Sequence, residues 1–260
     1  MPKTLPYAST PRDVVVTAID YADGTRFAAH THPRGQFAYA SRGVISVSTD
    51  TGNWVVPPQR AIWVPPGVVH AMHMRGPVTL LNTYVRAHAA QRLGLPSQCE
   101  VLGVSALLRH LLEHALTVPA RYSAGGRDAH LMGLLAHEIA QMPALALNAP
   151  LPGEPRLANA CQRFLAEPSL AIGIDTMALH AGMSRRTFTR QFRQDTGISY
   201  LQWRQQACLL AAIVRLGAGT VVTRVALDLG YSSPSAFTTV FKRVLGEVPS
   251  RYFANAPAAP

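Results

Sequence analysis

Between residues 12 and 86, apolar and polar positions alternate in short runs. Examples are Val44-Ile45-Ser46-Val47-Ser48 and Thr79-Leu80-Leu81-Asn82-Thr83-Tyr84-Val85. A period of two marks strands, and the Gly and Pro residues between the runs cut them into short antiparallel pieces. The prediction is an all-β sandwich or barrel. The period then changes. Leu107, Leu108, Leu111, Leu112 and Leu116 recur at helical spacing, as do Leu131, Leu134, Leu135, Ile139 and Met142. Residues 97–146 therefore read as a helical hairpin, packed on the sheet or on a second subunit, with one stripe available for dimerisation. LNAPLPGEPR, residues 147–156, holds three prolines and a glycine and reads as a linker. From 157 to 255 the pattern is consecutive helices with short turns, so two domains are expected.

The helical region repeats itself. Ala178-Leu179-His180-Ala181-Gly182-Met183-Ser184, followed by Phe188-Thr189-Arg190-Gln191-Phe192-Arg193 and Gly197, matches Ala226-Leu227-Asp228-Leu229-Gly230-Tyr231-Ser232, followed by Phe237-Thr238-Thr239-Val240-Phe241-Lys242 and Gly246. In each copy a short helix carries a small residue, Ala178 or Ala226, where another helix packs closely. Gly182 or Gly230 ends it, because the position after a helix favours positive φ. Ser184, and Ser232 or Ser233, cap the next helix. The Phe pair at i and i+4 buries one face of that helix. Each copy is a helix-turn-helix. Phe188, Phe192, Phe237, Phe241, Leu179, Leu227 and Trp203 are expected in the core.

ALDLGYSSPSAFTTVFKRVLGEVPSRY, the second copy, resembles the signature of the AraC/XylS family of transcription regulators. The resemblance covers about residues 157–253. It implies seven helices, with two helix-turn-helix units joined by a long helix over residues 199–216. It also implies two recognition helices in successive major grooves of double-stranded promoter DNA. On this resemblance Arg186, Thr189 and Arg190 face bases, and two arginines favour guanine. Ser235, Thr238 and Thr239 hold the corresponding face of the second helix, where short side chains read methyl groups or shape. Arg185, Arg193, Lys242 and Arg243 are read as phosphate contacts. A homodimer and RNA polymerase are the further partners expected of such a regulator.

The sheet region carries HTHPRGQ, with His30 and His32 at i and i+2. On a strand they share a face and present two imidazoles to one ion. Around them stand Gly24, five residues, His30, Thr31, His32, three residues, Gln36, six residues and Gly43, then Pro65-Pro66-Gly67-Val68-Val69-His70. These spacings resemble the two motifs of the cupin barrel over about residues 12–86. Gln36 stands where the family has a ligating Glu, Gln59 where its second motif opens on Gly, and Met74 where it closes on Asn. The resemblance implies a site of His30, His32, Gln36 and His70, able to take Zn, Ni, Co, Cu or Fe as the divalent ion. The alternative is that these side chains shape a pocket for an organic effector without metal. Tyr39, Trp54, Trp63 and Met72 are read as pocket lining or as core. The first 96 residues are thus expected to form a cupin-like effector or metal sensor.

Charge supports the division. The chain of 260 residues carries a net charge of +10. Residues 151–260 hold 12 Lys+Arg against 6 Asp+Glu, and only Lys242 is lysine. A basic, arginine-rich half suits a polyanion. Cys99, Cys161 and Cys208 are far apart and form neither zinc spacing nor a disulfide framework. No apolar run is long enough to span a membrane, and MPKTLPYASTPRD lacks a secretory core, so a bacterial cytoplasmic, nucleoid-associated location is expected. An effector-sensing regulator accounts for both halves, and the chain is expected not to be an enzyme. The alternatives are a cupin metalloenzyme, such as a dioxygenase or isomerase, fused to a DNA-binding domain, or a DNA-binding protein with a vestigial dimerising cupin.

Overall fold

A computed structural model describes residues 10–254. Most of the N-terminal stretch read as lacking a secretory core, and residue 255 at the end of the expected DNA-binding domain, lie outside them. In chain order the elements are β1 (Val14–Tyr21), β2 (Arg26–His30), β3 (Arg34–Ser48), β4 (Gly52–Val56), β5 (Arg60–Val64), β6 (His70–Arg86), α1 (Ala87–Arg92), β7 (Glu100–Leu102), α2 (Ala106–Ala115), α3 (Arg127–Ala140), β8 (Ala144–Leu145) and β9 (Asn148–Pro150). Seven helices follow among the described residues. They are α4 (Pro155–Ala166), α5 (Ile174–His180), α6 (Arg185–Thr196), α7 (Tyr200–Gly217), α8 (Val222–Asp228), α9 (Pro234–Leu245) and α10 (Pro249–Ala254). The chain divides into two compact units. Among the described residues, one holds residues 10–45 with Val56–Leu145, and the other holds Ser46–Val55 with residues 146–254.

The first unit is a cupin-like antiparallel sheet. Its strands run β1-β6-β3-β5-β7-β8, and β2 also pairs with β6. In the β3/β5 register, Phe37 faces Trp63 and Tyr39 faces Ala61, while Gln36 faces Val64 and Ala38 faces Ile62. Period two therefore separates two faces. Phe37, Tyr39, Ala61 and Trp63 join Val14, Val16, Leu81 and Val85 in a core capped by Leu108 and Leu112 of α2 and by Met132, Leu135 and Ile139 of α3. Gln36 lies on the opposite face. Gln59 holds φ of 61°, the one non-glycine residue with positive φ among those described. It keeps the left-handed conformation for which glycine is the usual residue.

The second unit contains the helices. Within the span expected as a linker, Asn148–Pro150 form β9 and pair with β4, Trp54 opposite Asn148. The long helix α7 begins on a capping box, Ser199 with Gln202. It carries buried Trp203, whose indole N–H donates to the Pro150 carbonyl at 2.8 Å. Ser184 caps α6 and Ser233 caps α9. Gly182 and Gly230 both take positive φ, 62° and 78°. A Cβ at Gly230 would also stand 3.2 Å from Ser169 Oγ. Phe188 and Phe192 are fully buried, with Phe192 5.8 Å from Trp203, and Phe241 packs 5.7 Å from Tyr252.

Leu179 and Leu227 depart from the expectation. They are 77% and 59% exposed, not core. Both α5 and α8 have two turns and bury a single stripe. Met177 and Ala178 carry it in one and Val225 and Ala226 in the other, so the next residue turns to solvent. No helix of the described residues is long and apolar enough to cross a membrane.

Candidate effector centre and nucleic-acid interface

The three motif histidines meet, by a different route from the one their spacing predicts. β2 ends at His30, and its pairing with β6 shifts register between Phe27 and His30. His32 lies in the turn before β3, so the two rings do not share a regular strand face. The turn and the start of β6 bring them together. Ring centroids stand 4.4 Å apart for His30 and His70, 5.0 Å for His32 and His70, and 6.1 Å for His30 and His32. One nitrogen from each ring lies within 4.8 Å of the others. His30 is exposed, while His32 and His70 are buried.

Backbone carbonyls decide which nitrogens converge. Nδ1 of His30 pairs with the Ala28 carbonyl at 2.9 Å, Nδ1 of His70 with that of Val68 at 2.9 Å, and Nδ1 of His32 with that of Arg34. A carbonyl only accepts, so each Nδ1 carries the proton and each neutral ring offers Nε2 as a lone pair. Burial pushes the His70 imidazole down to about 4, outweighing the Val68 bond. Burial also lowers His32, although a protonated ring could donate to both Gln36 and Arg34, which works the other way. Both rings are neutral at pH 7.

The fourth group completes the pattern. Gln36 donates through Nε2 to Asn82 Oδ1 at 2.7 Å, which leaves its Oε1 3.1 Å from His32 Nε2. Two acceptors thus face each other. His70 Nε2 is buried without a hydrogen-bond partner. Three imidazole lone pairs and an amide oxygen meet with no donor among them. This donor set fits a divalent transition ion, and Nδ1–H groups held by carbonyls are how ligating histidines are oriented. Tyr84, 6.1 Å from the His32 ring, and Asn82 close the inner side. Neither is among the site residues expected from the sequence. Their even positions on β6, shared with His70, were the available signal.

The other residues read as pocket lining separate. Met72 is buried two residues along β6 from His70, on the same strand face. Tyr39 and Trp63 belong to the core beneath α2 and α3, on the face opposite Gln36, and the Trp63 indole N–H donates to the Pro96 carbonyl at 2.8 Å. Trp54 sits in β4, within the second unit. His73 alternates away from His70 and pairs with Arg26.

The polar faces of α6 and α9 are open to solvent. Arg185, Arg186, Thr189, Arg190 and Arg193 are exposed and line a shallow groove along α6 opposite the buried Phe188 and Phe192. Arg185 pairs with Asp175 at 3.2 Å. On α9, Ser235, Thr239, Lys242 and Arg243 are exposed and Thr238 is half-buried. The hydroxyls of Thr189, Thr238 and Thr239 donate to carbonyls one turn back.

Comparison with known proteins agrees with this division. The AraC-like ligand binding domain matches residues 14–135, and a helix-turn-helix domain matches residues 177–255. The HTH-type transcriptional regulator NimR of Escherichia coli (strain K12) is 32% identical over 226 residues, 87% of this chain and 82% of that protein. This chain belongs to the AraC family of transcription regulators. The HTH-type regulator RipA of Corynebacterium glutamicum is 30% identical over 105 residues, 40% of this chain and 31% of RipA. The DNA-binding domain of AdpA, solved with a target DNA, is 37% identical over 37% of this chain and 88% of that one, with a TM-score of 0.35. In this AraC-family chain the sheet unit is the ligand-binding domain, and the duplicated helix-turn-helix is the DNA-binding domain.

Proposed function

We propose that this AraC-family regulator binds promoter DNA as a homodimer in the bacterial cytoplasm, and that a divalent transition ion held by His30, His32, His70 and Gln36 sets its affinity for that DNA. The observation that carries the reading is the convergence of four acceptors with no donor, His70 Nε2 among them buried and unpartnered. Bound there, the ion would act as a Lewis acid that anchors a ligand. The protein's own part is to fix three tautomers through the carbonyls of Ala28, Val68 and Arg34, and to aim Gln36 through Asn82.

On the DNA side, Arg186, Thr189 and Arg190 reach base edges in the first major groove, and Ser235, Thr238 and Thr239 do so in the second. Arg185, Arg193, Lys242 and Arg243 hold phosphates. The Asp175 pairing holds Arg185 in place until a phosphate replaces it. Dimerisation uses the α2–α3 hairpin, where Leu107 and Leu134 are 51% and 47% exposed. RNA polymerase is the partner at the promoter. The regulators among the relatives support this reading over a cupin enzyme. The test is metal analysis of the purified protein, followed by binding to a selected operator duplex with and without chelator. An unchanged affinity after metal removal contradicts the proposal.

A further inference from the structure

We infer that the His30–His32–His70–Gln36 centre, once it holds a divalent ion, senses small anionic oxygen donors of the carboxylate class that reach the ion from the His30 side. This rests on the metal reading above and adds the chemistry of the effector.

All four donors are neutral. Each histidine keeps its Nδ1 proton on a carbonyl, and position 36 offers an amide. Among the described residues no Asp or Glu joins the cluster. A bound ion would therefore keep its full double positive charge in a pocket where His32, Gln36 and His70 are only 5%, 5% and 1% exposed. An uncompensated charge in such a place is costly, and an opposite charge brought to it is held strongly. A carboxylate at position 36 would supply that charge from within. Glutamine leaves it to come from outside.

Access has one direction. The inner side is closed by the Gln36–Asn82 bond and by Tyr84 against His32. His30 is the exposed member, and Val69, beside His70, is 55% exposed. An anion that approaches along His30 meets the ion without displacing Gln36. Metal and anion then bind cooperatively, each raising the affinity for the other by the same factor.

The experiment uses the full chain, Co²⁺ as the ion and acetate as the probe, with acetamide as the uncharged control. The readout is the visible d–d spectrum of bound Co²⁺. The expected result is that acetate shifts the Co²⁺ bands and tightens Co²⁺ binding, while acetamide at equal concentration does neither. The Gln36→Glu variant should bind Co²⁺ more tightly and lose about tenfold or more in acetate affinity, because it carries the compensating charge itself. Bound Co²⁺ whose spectrum ignores acetate overturns the inference and leaves the metal reading standing. Equal effects of acetate and acetamide overturn it too. A protein that binds no Co²⁺ removes the metal reading, and this inference with it. Wild-type spectra suffice for each outcome if the variant fails to fold.

Discussion

The His70 ring stands 4.4 Å from the His30 ring, centroid to centroid, and its Nε2 is buried with no hydrogen-bond partner. A buried acceptor left without a partner is costly unless something fills the gap. On the proposed function a divalent ion would fill it. His70→Ala should therefore lower Zn²⁺ or Co²⁺ affinity by about 100-fold or more, since even changes to groups behind the ligands cost about 10–100-fold. Isothermal titration calorimetry measures this, and equal affinity for variant and wild type would sink the ligand assignment.

The same burial gives the metal-free protein a pH dependence. His70 titrates near 4 in the fold against an ordinary 6.5, and His32 is also lowered. Between these values the unfolded chain takes up protons that the folded one refuses. Stability is thus fully present above about pH 6.5 and falls as the pH drops towards 4. Thermal melts of the chelated protein across that window should show the decline, and His70→Gln should flatten it. A wild-type profile as flat as the variant's would contradict the account.

On α6, Arg190 and Arg193 are assigned different work. Arg190→Ala should cost about 1–3 kcal/mol on the preferred duplex and relax base choice at one position. Arg193→Ala should weaken all duplexes alike and reduce the salt slope by about one ion. Fluorescence anisotropy against a panel of duplexes at several salt concentrations separates the two. If Arg190→Ala lowers every duplex equally, Arg190 is a phosphate contact.

Leu179 and Leu227 stand exposed at equivalent points of the repeat. Their change to Ser should move stability by less than about 0.5 kcal/mol, as for other surface positions. Phe188→Ala, which empties a fully buried site, should cost about 3–5 kcal/mol. Urea unfolding measures all three. A large loss at Leu179 would mean that it is buried after all.

The legible and illegible parts of the sequence divide along a physical line. The duplicated helices were readable because Gly182, Ser184, Phe188 and Phe192 each answer a local demand: positive φ, an N-cap, and burial one turn apart. The β3 strand was not fully readable because all seven residues from Arg34 to Ala40 are buried. With both faces covered, apolar character no longer marks the inside, and it does not decide between pocket lining and core for Tyr39 and Trp63, which the structure places in the core. Leu179 was misread because its neighbour Ala178 already supplies the helix contact. The His cluster was found through its spacing to Gln36 and His70. Its geometry depends on a turn and a register shift that a period of two does not record.

The central claim is that the state of the histidine centre sets DNA affinity. The most direct measurement is the dissociation constant for an operator duplex selected from random sequence, taken for metal-loaded and chelated protein, beside the His30→Ala/His32→Ala variant. The account predicts different affinities for the two wild-type states and one metal-insensitive affinity for the variant, which still binds the duplex. Identical wild-type affinities with and without metal, or a variant that responds like wild type, would contradict it.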